Sequence, residues 1–188
     1  MPISKATPKF RVVHKLLLGF AGIALFAGFG LGITSIVMTK SMLENQADDS
    51  LVSVCESARD ILELAGSREA ALDRLAKIRI GSTGYVYVLD NEGRYLLSSG
   101  RSRDGENIRN AKDADGRLFI QEMLEKHDGT IVYPWQNQGE PSPRLKKAVY
   151  RTTPNGNSLV GAGVYLDELY APAYSFARAL LLILGIVV

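Results

Sequence analysis

An uncharged run at residues 16–39 most constrains how this 188-residue chain can fold. A helix needs about 20 consecutive apolar residues to cross the hydrocarbon core of a bilayer. The run offers 24 positions without a charged side chain, so we predict a membrane helix there. A second apolar run occupies residues 179–188 and predicts the truncated start of another span. The segment between them, residues 41–177, is expected to fold outside the membrane.

The amino-terminal tail, residues 1–15, predicts the orientation of the first span. It carries four basic residues and no acid. Cytoplasmic flanks of membrane helices are enriched in Lys and Arg, so we expect the tail inside and residues 41 onward outside. A cleaved signal peptide is the alternative, but its apolar core is usually only about 7–15 residues long. The sequence at residues 35–40 is also a poor cleavage site, which favours an uncleaved anchor.

The composition of the outer segment excludes several classes of protein. Its 137 residues suit one domain, and 20 acids against 16 bases give it a net charge of about −4. A nucleic-acid-binding surface needs clustered basic residues, so no nucleic-acid partner is predicted. Cys55 is the only cysteine, and its helical neighbours indicate a packed, unreactive side chain.

No catalytic constellation or metal-ligand cluster can be assembled from the segment. Asp113 and Asp115 lack the spaced ligands and the terminal glutamate of a calcium loop, so we interpret them as turn residues. We therefore expect no enzyme active site, no metal and no cofactor in these residues.

The hydrophobic pattern predicts an α/β domain built on an antiparallel sheet. Apolar residues at helical spacing over residues 41–64 indicate a helix that continues from the membrane span. Ser67 is a plausible N-cap for a second helix. The remaining predicted elements are helices at 68–78, 118–124 and from 167 onward, and strands at 85–90, 94–98, 130–136, 146–152 and 158–166. Consecutive strands joined by short turns exclude a doubly wound parallel sheet and indicate one covered face.

The aromatic residues of two strands are predicted to share faces. Alternation places Tyr85 and Tyr87 together on one strand, and Tyr133 and Trp135 together on another. Such residues make walls for small-molecule pockets, but they also dominate ordinary sheet packing. Both interpretations stay open from the residues alone.

Two further features allow alternative interpretations. Residues 99–116 carry interleaved charges of both signs, which usually indicate a solvated surface, although a lid over an anion is possible. Gly161 and Gly163 lie on one face of the last strand, where a ligand or, more commonly, the long helix approaches closely.

Five segments, in this order, resemble single Cache domains. They are residues 84–93 (GYVYVLDNEG), 112–116 (KDADG), 129–135 (GTIVYPW), 147–150 (KAVY) and 161–167 (GAGVYLD). Single Cache domains are extracytoplasmic sensors of bacterial chemoreceptors, histidine kinases and related signalling proteins. The resemblance covers nearly the whole outer segment.

The resemblance implies a long stalk helix packed on a PAS-like antiparallel sheet, with a small-molecule pocket on one face. It also implies a homodimer in the bacterial plasma membrane and a cytoplasmic signalling module after the second span. Ligands in this family are often short organic acids. This chain departs from the family where Ser98-Ser99 replaces a frequent His-Pro and where Asn157-Ser158 replaces an aromatic, which puts the usual ligand class in question.

Lys147 resembles a recurrent family lysine that precedes a tyrosine, here Tyr150, and an ammonium pairs naturally with a carboxylate. Lys146 adjoins it, and a regular strand directs the two to opposite faces. We select Lys147. The predicted ligand-binding residues are Tyr85, Tyr87, Tyr133, Trp135, Lys147 and Tyr150.

The predicted function is a transmembrane signal receptor that binds a small solute outside the membrane, with a methyl-accepting chemotaxis protein favoured by analogy. One alternative is the sensor portion of a histidine kinase or cyclic-nucleotide enzyme. Another is a membrane-anchored interaction module that binds no ligand.

Overall fold

The computed structural model describes residues 8–137 and 139–187. The predictions for residues 1–7 of the basic tail and for Val188 lie outside the described residues. The chain divides into two compact units. One comprises the described residues up to Met42 and those from Pro172 onward, and the other is Leu43–Ala171.

A single long helix, α1 (Pro8–Leu64), runs through the predicted span and on into the outer segment. This confirms that the amphipathic residues 41–64 continue the preceding helix without a break. Among the described residues, one helix is long and apolar enough to cross a membrane, judged by length and composition, and it lies within Val12–Leu64. The second span over 179–188 stays a prediction.

Helix α2 (Arg68–Leu75) begins at the predicted N-cap, because the Ser67 side chain accepts a hydrogen bond from the Ala70 amide. It ends three residues earlier than predicted. The chain then turns into a two-residue strand, β1 (Arg79–Ile80), which is too short to show a hydrophobic period and was not predicted.

Five further strands complete one antiparallel sheet of order β1-β2-β6-β5-β4, with β3 also paired to β2. Their bounds are β2 Gly84–Asp90, β3 Tyr95–Leu97, β4 Gly129–Trp135, β5 Arg144–Thr152 and β6 Ser158–Tyr165. Each predicted strand is present within two residues of its predicted limits. The antiparallel α/β fold is confirmed, and helix α4 (Leu166–Val187) follows β6 directly.

Both faces of the sheet are covered, whereas the element pattern indicated one. On the first face, α1 and α2 pack on alternate residues of β2, β5 and β6, including Val86, Val149 and Val160. Cys55 of α1 lies in this layer, where burial raises the pKa of its thiol to about 12 and makes it unreactive, as predicted. On the second face, helix α3 (Phe119–Lys126) packs on the aromatic residues.

Candidate functional site

The second face of the sheet gathers the five aromatic residues of the predicted site. Tyr85, Tyr87, Tyr133, Trp135 and Tyr150 are all buried in one cluster, which we name the aromatic chamber. The predicted sharing of faces on β2 and β4 is therefore confirmed. Whether these residues contact a ligand stays a prediction.

Aromatic packing rather than an empty space fills the α3 side of the chamber. The Phe119 ring of α3 stacks on Tyr133 with centroids 4.2 Å apart and meets the edge of Trp135 at 5.3 Å. The hydroxyl group of Tyr87 lies 3.5 Å from the Met123 sulfur. These contacts fix the rings of β4 and make them a rigid wall.

The two adjacent lysines lie on opposite faces of the sheet, as predicted, and Lys146 rather than the selected Lys147 shares the face of the aromatic residues. Lys147 points away from the chamber, toward α1, where its Nζ atom lies 2.5 Å from Oδ1 of Asp48. Lys146 points into the chamber and is only 1% exposed. The alternation of β5 fixes this difference, and the sequence could not indicate which of the two faces was the aromatic one.

Lys146 lies over a group of tyrosine rings. Its Nζ atom is 3.6 Å from the centroid of the Tyr85 ring, 5.1 Å from that of Tyr87 and 5.9 Å from that of Tyr165. Ring faces carry negative charge density and attract a cation, so these contacts stabilise the ammonium group. Among the described residues, no carboxylate lies within ion-pairing distance of it.

Burial dominates the electrostatics of Lys146. It lowers the pKa of the ammonium group to about 7, and the nearby Glu140 opposes this shift only in part. Burial likewise raises the pKa of Tyr85 and Tyr87, which keeps both hydroxyl groups protonated. The chamber therefore holds one titratable cation against neutral walls.

Two glycines of β6 make room for this arrangement. A Cβ atom at Gly161 would clash with the Tyr87 ring, and one at Gly163 would lie 2.5 Å from Cε of Lys146. The close neighbours of both glycines are therefore side chains of the chamber, and neither the long helix nor a ligand is needed to explain them.

A cavity of about 100 Å³ opens beside the chamber. Two chamber rings, Tyr85 and Trp135, line it together with residues of loops and of β3. The other lining residues are Tyr95, Ser98, Ser99, Ser102, Arg103 and Asn137. Since Lys146 lies against the Tyr85 ring, the cavity and the buried ammonium group share a wall.

Arg103 supplies a second cation at the cavity. Its guanidinium carbon is 5.7 Å from the centroid of the Tyr95 ring and 5.5 Å from that of Trp135. A hydrogen-bonded ion pair with Glu106 raises its pKa further, so it is always charged. The charged loop therefore contributes to the site as well as to the solvated surface, and sequence reasoning had not selected Arg103.

Ser98, which stands where the family often has His, anchors the loop. Its amide and hydroxyl groups donate hydrogen bonds of 2.7 and 2.8 Å to Oδ1 of Asp104. Arg101 pairs with the same Asp104 and with Glu69 of α2. The loop wall of the cavity is thus tied to the body of the domain. Tyr95 of β3, Ser98 directly after that strand and the loop residue Asn137 were also missed, because the order of the sequence does not show that these segments meet at one cavity.

The fold and the site define a PAS-like sensor module with a small polar cavity against an aromatic wall. Residues 63–178 match the model of the Cache 3/Cache 2 fusion domain. The match spans more than half of the chain, and the chain belongs to this family. Cache domains are the extracytoplasmic, ligand-binding sensors of membrane receptors.

Two curated relatives are signalling proteins of different output. The sensor histidine kinase MctS of Rhizobium johnstonii is 28% identical over 133 residues, covering 69% of this chain and 28% of that protein. The methyl-accepting chemotaxis protein McpP of Pseudomonas putida is 27% identical over 130 residues, covering 63% of this chain and 23% of that protein. The chain thus spans about a quarter of the length of these relatives.

Solved structures agree with the fold. A Cache chemosensory domain, described for its recognition of carboxylic acids, superposes with a TM-score of 0.56 at 24% identity, covering 68% of this chain and 98% of that one. A methyl-accepting chemotaxis protein of Vibrio parahaemolyticus gives 0.59 at 18% identity, covering 72% and 99%. At these identities the likeness establishes the fold alone.

Proposed function

We propose that this chain is the sensing portion of a transmembrane signal receptor that binds a short carboxylate between Lys146, Arg103 and the aromatic chamber. One observation carries the proposal. The Lys146 ammonium group is buried with no carboxylate partner among the described residues, beside a cavity that shares its Tyr85 wall.

A buried cation without a counter-ion costs free energy, and that cost appears as the lowered pKa of Lys146. An anionic ligand would supply the missing charge and hold the lysine protonated. Arg103 would then act as a second donor at the cavity, while Trp135 and Tyr95 would contact the alkyl part of the ligand.

The size of the cavity supports a small ligand. At about 100 Å³ the cavity is well below the roughly 300–1,000 Å³ of ordinary ligand pockets, so it suits a ligand of only a few heavy atoms. Acetate and propionate are of this size. The published carboxylic acid recognition of a Cache domain of the same fold agrees with this ligand class.

The wider organisation follows the sequence predictions. In this proposal the tail at 1–15 is cytoplasmic, 16–39 spans the membrane, 41–177 is the extracytoplasmic sensor and 179–188 begins a second span. The receptor is a homodimer in the bacterial plasma membrane that signals to a cytoplasmic module.

The first test is calorimetric titration of the 188-residue chain, reconstituted in lipid nanodiscs, with acetate, propionate and butyrate. Ethylamine and propylamine serve as size-matched cations. We expect a carboxylate to bind and both amines to fail, because Arg103 lines the cavity and the Lys146 ammonium group lies against its Tyr85 wall. Amine binding, or no binding by any carboxylate, would contradict the proposal.

The adjacent lysines provide a matched pair of variants for the same titration. A hydrogen bond to a charged group contributes about 1.5–3 kcal/mol, so Lys146→Met should weaken carboxylate binding by about 10- to 100-fold. Lys147→Met removes an equal charge from the opposite face and should leave affinity within about threefold. Equal losses in both variants would show that general charge, and not the chamber, holds the ligand.

For the output, a methyl-accepting chemotaxis protein is our first candidate, and the relation to MctS favours a histidine kinase as the second. The full-length receptor separates the two. Ligand-dependent swimming bias with receptor methylation identifies a chemoreceptor, whereas ligand-dependent autophosphorylation identifies a kinase.

A further inference from the structure

Arg144, the first residue of β5, uses all five of its N–H donors. Its Nε and Nη2 atoms donate to the two carboxylate oxygens of Asp167 at 2.9 Å each. Nη2 also donates to Glu168 at 2.8 Å, and Nη1 donates to Glu140 and Thr83 at 3.2 Å each. A guanidinium is a rigid planar fork, so these partners are held in one fixed arrangement.

On one side of this fork, Glu140 leads to the cavity. The backbone amide and the side-chain amide of Asn137 donate to the Glu140 carboxylate at 2.9 and 3.2 Å. Asn137 lines the cavity and accepts a hydrogen bond of 3.0 Å from the hydroxyl group of Tyr85. It also donates to the hydroxyl group of Tyr165 at 2.5 Å. A ligand in the cavity therefore meets a residue that is two hydrogen bonds from Arg144.

On the other side, the Arg144 guanidinium binds the start of α4. Asp167 and Glu168 lie in the first turn of that helix. Glu168 also accepts hydrogen bonds from the amides of Ser82 and Thr83, in the loop between β1 and β2. The hydrogen bond from Arg144 lowers the pKa of Asp167, which keeps its carboxylate ionised.

The strand itself provides a second route between the site and the fork. Arg144 and Lys146 are two residues apart on β5 and project from the same face. The Tyr165 ring lies between them, with its centroid 4.0 Å from the Arg144 guanidinium and 5.9 Å from Nζ of Lys146. A ligand that pairs with Lys146 thus acts on the same strand and the same ring as the fork.

We propose that Glu140 and Arg144 form a relay that transmits ligand binding at the cavity to helix α4, an inference that rests on the proposed carboxylate-sensing function. The ligand attracts Asn137 and Lys146, and Glu140 shifts together with Asn137. Because the Arg144 guanidinium is rigid, it must then shift as well. Its movement displaces Asp167 and Glu168, which it binds at the start of α4. Shifts of about 1–2 Å in a helix are sufficient for signalling switches of this kind. The relay residues position the helix and do not need to touch the ligand.

Hydrogen–deuterium exchange of the nanodisc-embedded chain, with and without saturating propionate or acetate, tests the relay. The readout is the change that ligand causes in peptides covering residues 81–84 and 166–171. We expect a clear change in the unmodified chain and a loss of most of it in Arg144→Gln and Glu140→Gln, both of which still bind the carboxylate by calorimetry. Arg144→Lys keeps the charge but offers three donors without the planar fork, and it should give a reduced change.

Arg117→Gln is the control, because it removes another arginine ion pair, that with Glu122 of α3, outside the relay. It should respond as the unmodified chain does. If the Arg144 and Glu140 variants respond fully, or if they lose binding altogether, the relay is overturned. If the unmodified chain binds no carboxylate, the proposed function is overturned and the relay with it.

Discussion

Two adjacent lysines of β5 perform opposite tasks. Lys147 forms an ion pair with Asp48 of α1, whereas Lys146 lies buried among tyrosine rings without a carboxylate partner in the described part of the chain. The first contributes to packing of the long helix. The second places a destabilising charge in the interior, which is the kind of feature that a binding site retains.

The burial of Lys146 predicts how the stability of the domain depends on pH. Its pKa is about 7 in the folded chain and ordinarily near 10.5. Between pH 7 and about pH 10.5 the unfolded chain binds more protons at this lysine than the folded chain does. The contribution of Lys146 to the free energy of unfolding therefore rises with pH. Below pH 7 the lysine is charged in both states and its full cost, on the order of a few kcal/mol, remains.

Lys146→Met should therefore raise the melting temperature of the unliganded chain by several degrees at pH 6 and by much less at pH 10. The groups that face the ammonium are Glu140 and three tyrosines, Tyr85, Tyr87 and Tyr165, whose pKa values burial raises. Lys147→Met is the control and should show no such difference. An equal effect of Lys146→Met at both pH values would contradict this account of Lys146.

Gly161 offers a test of packing at a single residue. A methyl group there would clash with the buried ring of Tyr87, whose hydroxyl group already lies 3.5 Å from the Met123 sulfur. Overpacking of this kind costs about 1–3 kcal/mol, so Gly161→Ala should lower the melting temperature by several degrees.

Gly66→Ala is the matched control, because a methyl group at Gly66 meets no atom within 4 Å. Its melting temperature should stay within about one degree of that of the unmodified chain. Equal behaviour of the two variants would show that Tyr87 moves aside and that the glycine is not required.

At the level of elements, hydrophobic periodicity predicted the longer helices and the strands correctly. The amphipathic run of α1, the capped start of α2 and the alternating strands all appear close to their predicted limits. Strand β1 escaped prediction because two residues show no period. The covering of the second face was missed because α3 is only eight residues long and its buried side was not assigned to a partner.

Helix α3 is expected to hold the chamber together. Met123 is fully buried beneath the chamber rings, and replacing a buried Met by Ala costs about 2–5 kcal/mol. Met123→Ala should therefore lower the melting temperature markedly, whereas Glu125→Ala on the exposed side of the same helix should not. The idea that α3 closes the chamber fails if thermal unfolding shows no difference between the two.

For the whole molecule, the sequence predicted the class of protein better than the site. The aromatic residues were found because they alternate on strands. Arg103 and Asn137 come from loops, which only the folded chain brings against Tyr85 and Trp135. The face of Lys146 depends on which side of the sheet α1 covers, and that is a property of packing rather than of strand pattern.

Carboxylate binding at Lys146 is the central claim for the molecule as a whole, and one distance tests it most directly. Solid-state NMR can measure the separation between the ¹³C-labelled carboxylate of bound propionate and ¹⁵Nζ-labelled lysine in the membrane-embedded chain. If the two form a direct ion pair, the carboxylate carbon should lie within about 4 Å of a lysine Nζ atom. This short distance should be observed in Lys147→Met and lost in Lys146→Met. Bound propionate with no lysine nitrogen at that distance would contradict the account.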